Sequence, residues 1–368
     1  MILAYMNRFS FVGEPVLPKA ESKRPFYSES DSKDHTTKYR RMTFGIKESD
    51  QNMAFVEAFG AEQKTIKTMD RDGNKIEVDW ADRLDNTVIG SVANYRKFVM
   101  NLGEEYGGRQ EFVSAYDFLK AISEQLPHYH GRVVVSGQFQ KEWYKDHYTD
   151  RYQFQSIYAV TDDDRKNRLS LTMDIFYNKD SVDIADWGSE KRIYLNGYVS
   201  QYMGKDEGTK YIPQQFVFNG AKYDPDNAAH MKLLAYKRKY IETKSKTYVH
   251  IPWEVVLLRG AETIDFDESM LTDQQREQVE LGIKTIDDFK PRGDVYGTKI
   301  NEYRLFDPKL VGDFSEGVVD TEMKDDEFQE SVYVPTTEER MDDVMKAANE
   351  EASEKTGTDN EVDSDDLF

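Results

Sequence analysis

Charge is divided so unevenly along this chain that its two ends cannot fold alike. Val311–Phe368 holds 20 acidic and 4 basic residues, a net of −16 out of −20 for the whole chain. Residues 1–310 carry the remaining −4, with 45 basic residues among them. A segment so acidic and so poor in apolar residues cannot bury enough surface to offset its ordering entropy. Residues 311–368 are therefore expected to form a disordered acidic tail, with a short helix over Thr336–Ala352 fitting the spacing of Val344, Met345 and Ala348. A folded core must come from residues 1–310, which is enough for two domains at about 100–200 residues each.

Some chemistries are excluded at once. Without Cys there are no disulfides, Cys-based zinc sites or thiol nucleophiles. No stretch has the ~20 apolar residues of a membrane span, and Met1–Met6 is too short for a signal sequence. A cytoplasmic location is expected. The aromatic residues, mainly 23 Tyr and 20 Phe, suit strands and binding surfaces, because a Tyr ring packs while its hydroxyl stays wet.

The body alternates like a β protein. In Leu169–Ile175 the apolar residues take every second position. In Arg192–Val199, Ile193, Leu195 and Val199 share one face, while Tyr194, Asn196 and Tyr198 share the other. Rings on the outer face can meet a ligand or pack across strands. Further strands are expected at Phe9–Leu17, Lys38–Lys47, Asn52–Phe59, Arg132–Gln140, Tyr152–Val160, Gln214–Asn219 and Thr247–Leu258. Asp72-Gly73 marks a hairpin within Thr65–Trp80; part of a calcium-loop spacing is present there, but Gly73 comes too early for one. Helical spacing is read at Thr87–Leu102, Gln110–Leu126 and Thr272–Ile286, the last with Thr272 and Gln275 placed for a capping box.

Two strand pairs echo one another. Arg8–Gly13 leads through a polar loop to Tyr39–Phe44, and Arg132–Gly137 leads through another to Arg151–Phe154. In each, Gly13 or Gly137 suits a bulge that lets one strand serve both ends of a small barrel. The arrangement resembles the OB-fold, a five-stranded barrel that binds oligonucleotides. The expected fold class is mainly β with helical insertions (α+β). The expected organisation is an OB-like barrel over 1–83, a helical insertion or linker over 84–127, a second barrel with helical additions over 128–310, and the tail. A single larger β-rich domain is the alternative.

Catalytic constellations are scarce. There is no phosphate-binding Gly-rich loop, dinucleotide fingerprint or helical His-Glu-x-x-His. His128 and His130 are better explained by a turn than by a metal. No metal, cofactor or catalytic residue is expected. The positive signal is basic and aromatic residues interleaved, since single strands need cations for phosphates and rings for unstacked bases. Tyr39, Arg41 and Lys47 share one face of their strand. Lys141–Tyr152 reads as a loop carrying Lys141, Trp143, Tyr144, Tyr148 and Arg151. Tyr202, Lys205, Lys210 and Tyr211 bracket a second loop, Gly204–Gly208, and Tyr194 and Tyr198 present rings on the outer face of Arg192–Val199. Lys232–Lys246 adds a third basic stretch. Covering a core edge is the competing explanation for Trp143 and several tyrosines.

The tail ends in Asp363-Ser364-Asp365-Asp366-Leu367-Phe368. Apolar side chains behind carboxylates make a peptide ligand, the ring filling a pocket and the acids meeting Lys or Arg at its rim. This tip resembles that of bacterial and phage single-stranded DNA-binding proteins, with Leu367 where the commoner bacterial form has Pro. The resemblance, to the phage type above all, implies a non-enzymatic protein that coats and protects single strands in DNA replication, recombination and repair. Asp363, Asp365, Asp366, Leu367 and Phe368 would recruit partner proteins, and the tail would compete weakly for the basic groove. Two other readings stay open: a structural or assembly component of a virion, and a nucleic-acid-processing enzyme without a recognisable motif.

Overall fold

Apolar residues at every second position turn most of the body into strands, whose two edges then require partners. The computed structural model describes residues 7–19, 22, 24–32, 35–144, 147–162, 164–205, 207–264, 270–290, 295–309, 328 and 332–333. The first half contains β1 (Arg8–Val16), β2 (Tyr27–Asp31), β3 (Lys38–Ser49), β4 (Asn52–Ala61), β5 (Thr65–Met69) and β6 (Lys75–Asp79). Helix α1 (Asn86–Ser91), β7 (Phe98–Asn101), β8 (Arg109–Phe112) and α2 (Ala115–Gln125) follow, then β9 (Val133–Tyr144) and β10 (His147–Ala159). The second half contains β11 (Arg168–Tyr177), β12 (Val182–Asp183), β13 (Arg192–Tyr202), β14 (Thr209–Asn219), α3 (Ala228–Ile241), β15 (Val249–Ile264), α4 (Asp273–Glu280) and β16 (Val295–Pro308). The protein is mainly β, and all strands except the β5–β6 hairpin join one 14-stranded mixed sheet. Among the described residues no helix is long and apolar enough to cross a membrane.

The pairings run in two circuits. In the first, β1 pairs β3, β3 pairs β4, β4 touches β10 in parallel at Glu57↔Gln153, β10 pairs β9, and β9 returns to β1. In the second, β11 pairs β13, β13 pairs β14, β14 touches β16 in parallel at Val217↔Arg304, β16 pairs β15, and β15 returns to β11. Strand β1 joins them, because Arg8–Val12 also pairs β11, and a second seam lies at Asn52↔Gly260. Inward-facing residues of both circuits form one continuous core, including Phe11, Phe44, Phe154, Ile175, Phe216 and Trp253.

At the two glycines where a bulge is expected, Gly13 and Gly137, neighbouring backbone comes close. At Gly13, β1 passes from β9 to β3, and an added Cβ would lie 2.2 Å from the Lys47 carbonyl oxygen. At Gly137 it would lie 2.0 Å from the Gln153 oxygen, beside the register shift between Phe154 and Ser156. A side chain fits neither place.

Several expectations change. Division at residue 128 does not follow the pairings, because β9 and β10 pair with β1 and touch β4 in the first circuit. Thr87–Leu102 is not one helix: Val92 ends α1 in extended backbone and bridges Asp70, and Phe98–Asn101 is strand β7. Gln110–Leu126 splits into β8 and α2, the latter capped by Ser114, whose oxygen accepts from Asp117 N–H at 3.1 Å. The β5–β6 hairpin forms around Gly73 (φ +86°), and Thr272 with Gln275 makes the capping box of α4. Lys141–Tyr152 is mainly paired ends of β9 and β10 rather than a loop. Lys232–Lys246 is largely α3, where Lys237 is 4 % exposed and donates to the Phe306 carbonyl. Phe328, Val332 and Tyr333, within the segment expected to be disordered, pack against the body. Thr336–Ala352 and Asp363–Phe368 lie outside the described residues.

Candidate nucleic-acid interface

The outer face of β3 and β4 carries large rings that the core does not take. Along β4 the inward residues are small, Ala54, Val56 and Ala58, while Phe55 and Phe59 on the other face are 52 % and 54 % exposed. Arg41 lies across from Phe59 in the β3–β4 register, with its guanidinium carbon 5.5 Å from the phenyl centroid. Tyr39 stands beside them, its ring 5.8 Å from Phe59 and 5.7 Å from the Arg41 guanidinium. Phenyl rings in water with a cation alongside suit a π-bearing, anionic ligand.

This face runs into an open groove of about 1160 Å³, bordered by β3, β4, β9 and β10. Its floor comes from the alternation of β9 and β10. Phe139, Tyr152 and Phe154 turn inward, and Gln138, Gln140, Gln153 and Gln155 take the opposite face. Gln138 pairs with Gln153 across the hairpin, and Gln140 with Arg151. Each amide offers both donors and an acceptor. Arg24 and Arg41 line the groove and have no ion-pair partner among the described residues. Arg151 also lines it but is held by Glu57 at 3.0 Å and Glu142 at 2.5 Å. Trp143 also lines the groove, half-buried against Tyr148 (4.9 Å, edge-on), and its Nε1 is buried with no hydrogen-bond partner among the described residues.

Lys141 requires a correction. It is 8 % exposed, and its Nζ lies 3.0 Å from Asp150 Oδ1. Asp150 also takes Arg259 and the Tyr303 hydroxyl, which is 3.0 Å from the Tyr152 hydroxyl. Burial, with the Asp150 carboxylate nearby, pushes both phenols up, so they remain protonated donors. This cluster ties the β9–β10 hairpin to β15 and β16, and Lys141 is spent on it. Lys47, at the other end of β3, is bound by Glu14 and Asp50, each at 3.2 Å, and those hydrogen bonds raise its pKa.

The remaining expected residues do not gather in the groove. Tyr144 meets His147 edge-on at 6.5 Å, and Tyr148 donates from its hydroxyl to the Tyr333 carbonyl at 3.2 Å. Tyr211 is 8 % exposed, and Tyr198 packs against Phe328 and Tyr248, so neither is an open platform. Tyr194 lies half-buried on β13, opposite Val217, and Lys210 pairs with Gln201 across β13–β14. Tyr202, 67 % exposed, stands at the end of β13, between Gln201 and Met203, which border the groove. Gln201 itself is engaged, accepting from Lys141 N–H at 2.7 Å and donating to Lys141 O at 2.9 Å.

Sequence reading missed Phe55, Phe59, Arg24 and the four strand glutamines. A signal existed for most of them: Met53-Ala54-Phe55-Val56-Glu57-Ala58-Phe59 alternates large against small, and Gln-Phe-Gln occurs in both β9 and β10. A face of large rings opposite small residues means that the rings point away from a closely packed layer. No family model matches this chain, and no curated protein is similar to it.

Proposed function

We propose that this protein binds single-stranded DNA along the Phe55–Phe59 face and the glutamine-lined groove, and does no chemistry on it. The observation that carries the reading is the pair of half-exposed phenyl rings on β4 with Arg41 alongside, opening into a groove of amides and arginines. Stacked rings hold any base, guanidinium groups take phosphates, and amides adapt to either. The two circuits read as tandem OB-like barrels, divided between β10 and β11. In support, each circuit has five strands, closes through one parallel contact, and carries a helix between its third and fourth strands (α2, α3). Asp363–Phe368 then recruits proteins of DNA replication and recombination.

Fluorescence anisotropy with a labelled oligonucleotide, single-stranded and duplex, tests this at several salt concentrations. Tighter single-strand binding that weakens steeply with salt is expected, because bound arginines release condensed counterions. Equal affinity for duplex, or no binding at low salt, overturns it.

A further inference from the structure

Phe328 belongs to the most acidic part of the chain and yet is 0 % exposed. Its ring stacks on Tyr248 with centroids 3.8 Å and planes 12° apart, lies 4.4 Å from Tyr211, and meets Tyr198 edge-on at 5.1 Å. Behind Tyr211, at 4.9 Å, Phe176 stacks on His250, whose Nε2 is 2.8 Å from Asp174 Oδ1. Five residues on, Tyr333 N–H donates to the Tyr211 carbonyl at 3.0 Å, and Val332 forms a parallel bridge with Tyr211. An aromatic cage beside a receptive strand edge is how folded domains take up an extended peptide.

The resident has a sequence double. Phe328 follows Asp325-Asp326-Glu327, and Asp365-Asp366-Leu367-Phe368 repeats the order Asp-Asp-x-Phe. Lys210 precedes Tyr211 on β14, and the exposed Lys246 lies two residues before Tyr248 in the turn leading to β15, so a cation stands near each of these cage residues along the chain. We propose that the cage is a docking site for Asp-Asp-x-Phe peptides, and that this chain's own Asp365–Phe368 is its second occupant, exchanging with Phe328. Whichever phenylalanine holds the cage, the other is presented to solvent. The cage thereby governs how much of the Asp365–Phe368 segment is available to other proteins. Tyr333 also lines the groove, but the cage rings Tyr198, Tyr211 and Tyr248 do not, so this inference does not rest on DNA binding.

The test uses full-length protein carrying Phe368→Ala, with and without Phe328→Ala, titrated into a labelled peptide of residues 359–368. Removing Phe328 is expected to tighten peptide binding at least about tenfold, because apparent affinity follows the fraction of cages left open. The same peptide with Phe368→Ala should lose binding to both proteins. Equal affinity of the two proteins, or equal binding of the two peptides, overturns the proposal. A second arm uses unaltered protein and a peptide with benzoylphenylalanine at position 368, guarding against a folding defect. Photo-crosslinks are expected at Tyr198, Tyr211 or Tyr248, and crosslinks only elsewhere overturn it equally.

Discussion

Lys141 and Asp150 face each other across the β9–β10 hairpin, Nζ 3.0 Å from Oδ1, in a setting that leaves the lysine 8 % exposed. A buried pair is costly to break from one side, since the surviving charge has no water to turn to. Asp150→Ala strands Lys141, Arg259 and the Tyr303 hydroxyl together, and should cost about 3–5 kcal/mol in urea unfolding. Lys141→Met leaves Asp150 with two partners and should cost less. It should also leave the salt dependence of oligonucleotide binding unchanged, whereas a phosphate-contacting lysine would lower that slope by about one.

Phe59→Ala separates binding from stability. The ring is half-exposed, so the midpoint of urea unfolding should move by no more than about 0.5 kcal/mol. Affinity for single strands should fall by roughly 1–3 kcal/mol if the ring stacks on a base. Unchanged affinity would remove Phe59 from the interface.

Tyr198→Ala, by contrast, should act on the acidic segment rather than on DNA. Its ring is one wall of the Phe328 cage, at 5.1 Å. Limited proteolysis should cut near Phe328 faster in the variant, while oligonucleotide affinity stays within about twofold, a few tenths of a kcal/mol. A selective loss of DNA affinity would return Tyr198 to the interface.

Acid should weaken the β7–β8 region. The Lys97 ammonium, 4 % exposed and 2.8 Å from Glu111, and then Arg109 at 2.7 Å, hold the Glu111 carboxyl below its ordinary value of 4.5. A depressed carboxylate stabilises the fold fully above its unfolded pKa, and that contribution is lost as pH falls through the folded value. Glu111→Gln should lower stability at pH 7 by about 1.5–3 kcal/mol. It should also flatten the stability profile below pH 4.5, which denaturant titrations at a series of pH values would read.

Local alternation was readable where one strand face is dry. Met42, Phe44 and Ile46 turn inward and Tyr39 and Arg41 outward, as their spacing requires. Long-range pairing was not readable. Val88, Val92, Tyr95 and Phe98 satisfy a helical period, but Val92 bridges Asp70, and the strand begun at Phe98 pairs with β10. Lys141 looked like a free cation because nothing local announces that the hairpin register sets Asp150 opposite it. The groove itself was half legible: Arg41, Trp143 and Arg151 line it, but Phe55 and Phe59 were read as ordinary strand residues. Their outward direction follows from a neighbouring layer that only the tertiary structure supplies.

Strand β1 has no spare edge between Arg8 and Val12, since β9 takes one side and β11 the other. Those few residues act as a shared rivet, so neither circuit can swing or peel away without tearing backbone hydrogen bonds of both. Heating should therefore produce one calorimetric transition rather than two. A protease cut between residues 160 and 167 should leave two fragments that travel together through gel filtration until denaturant is added.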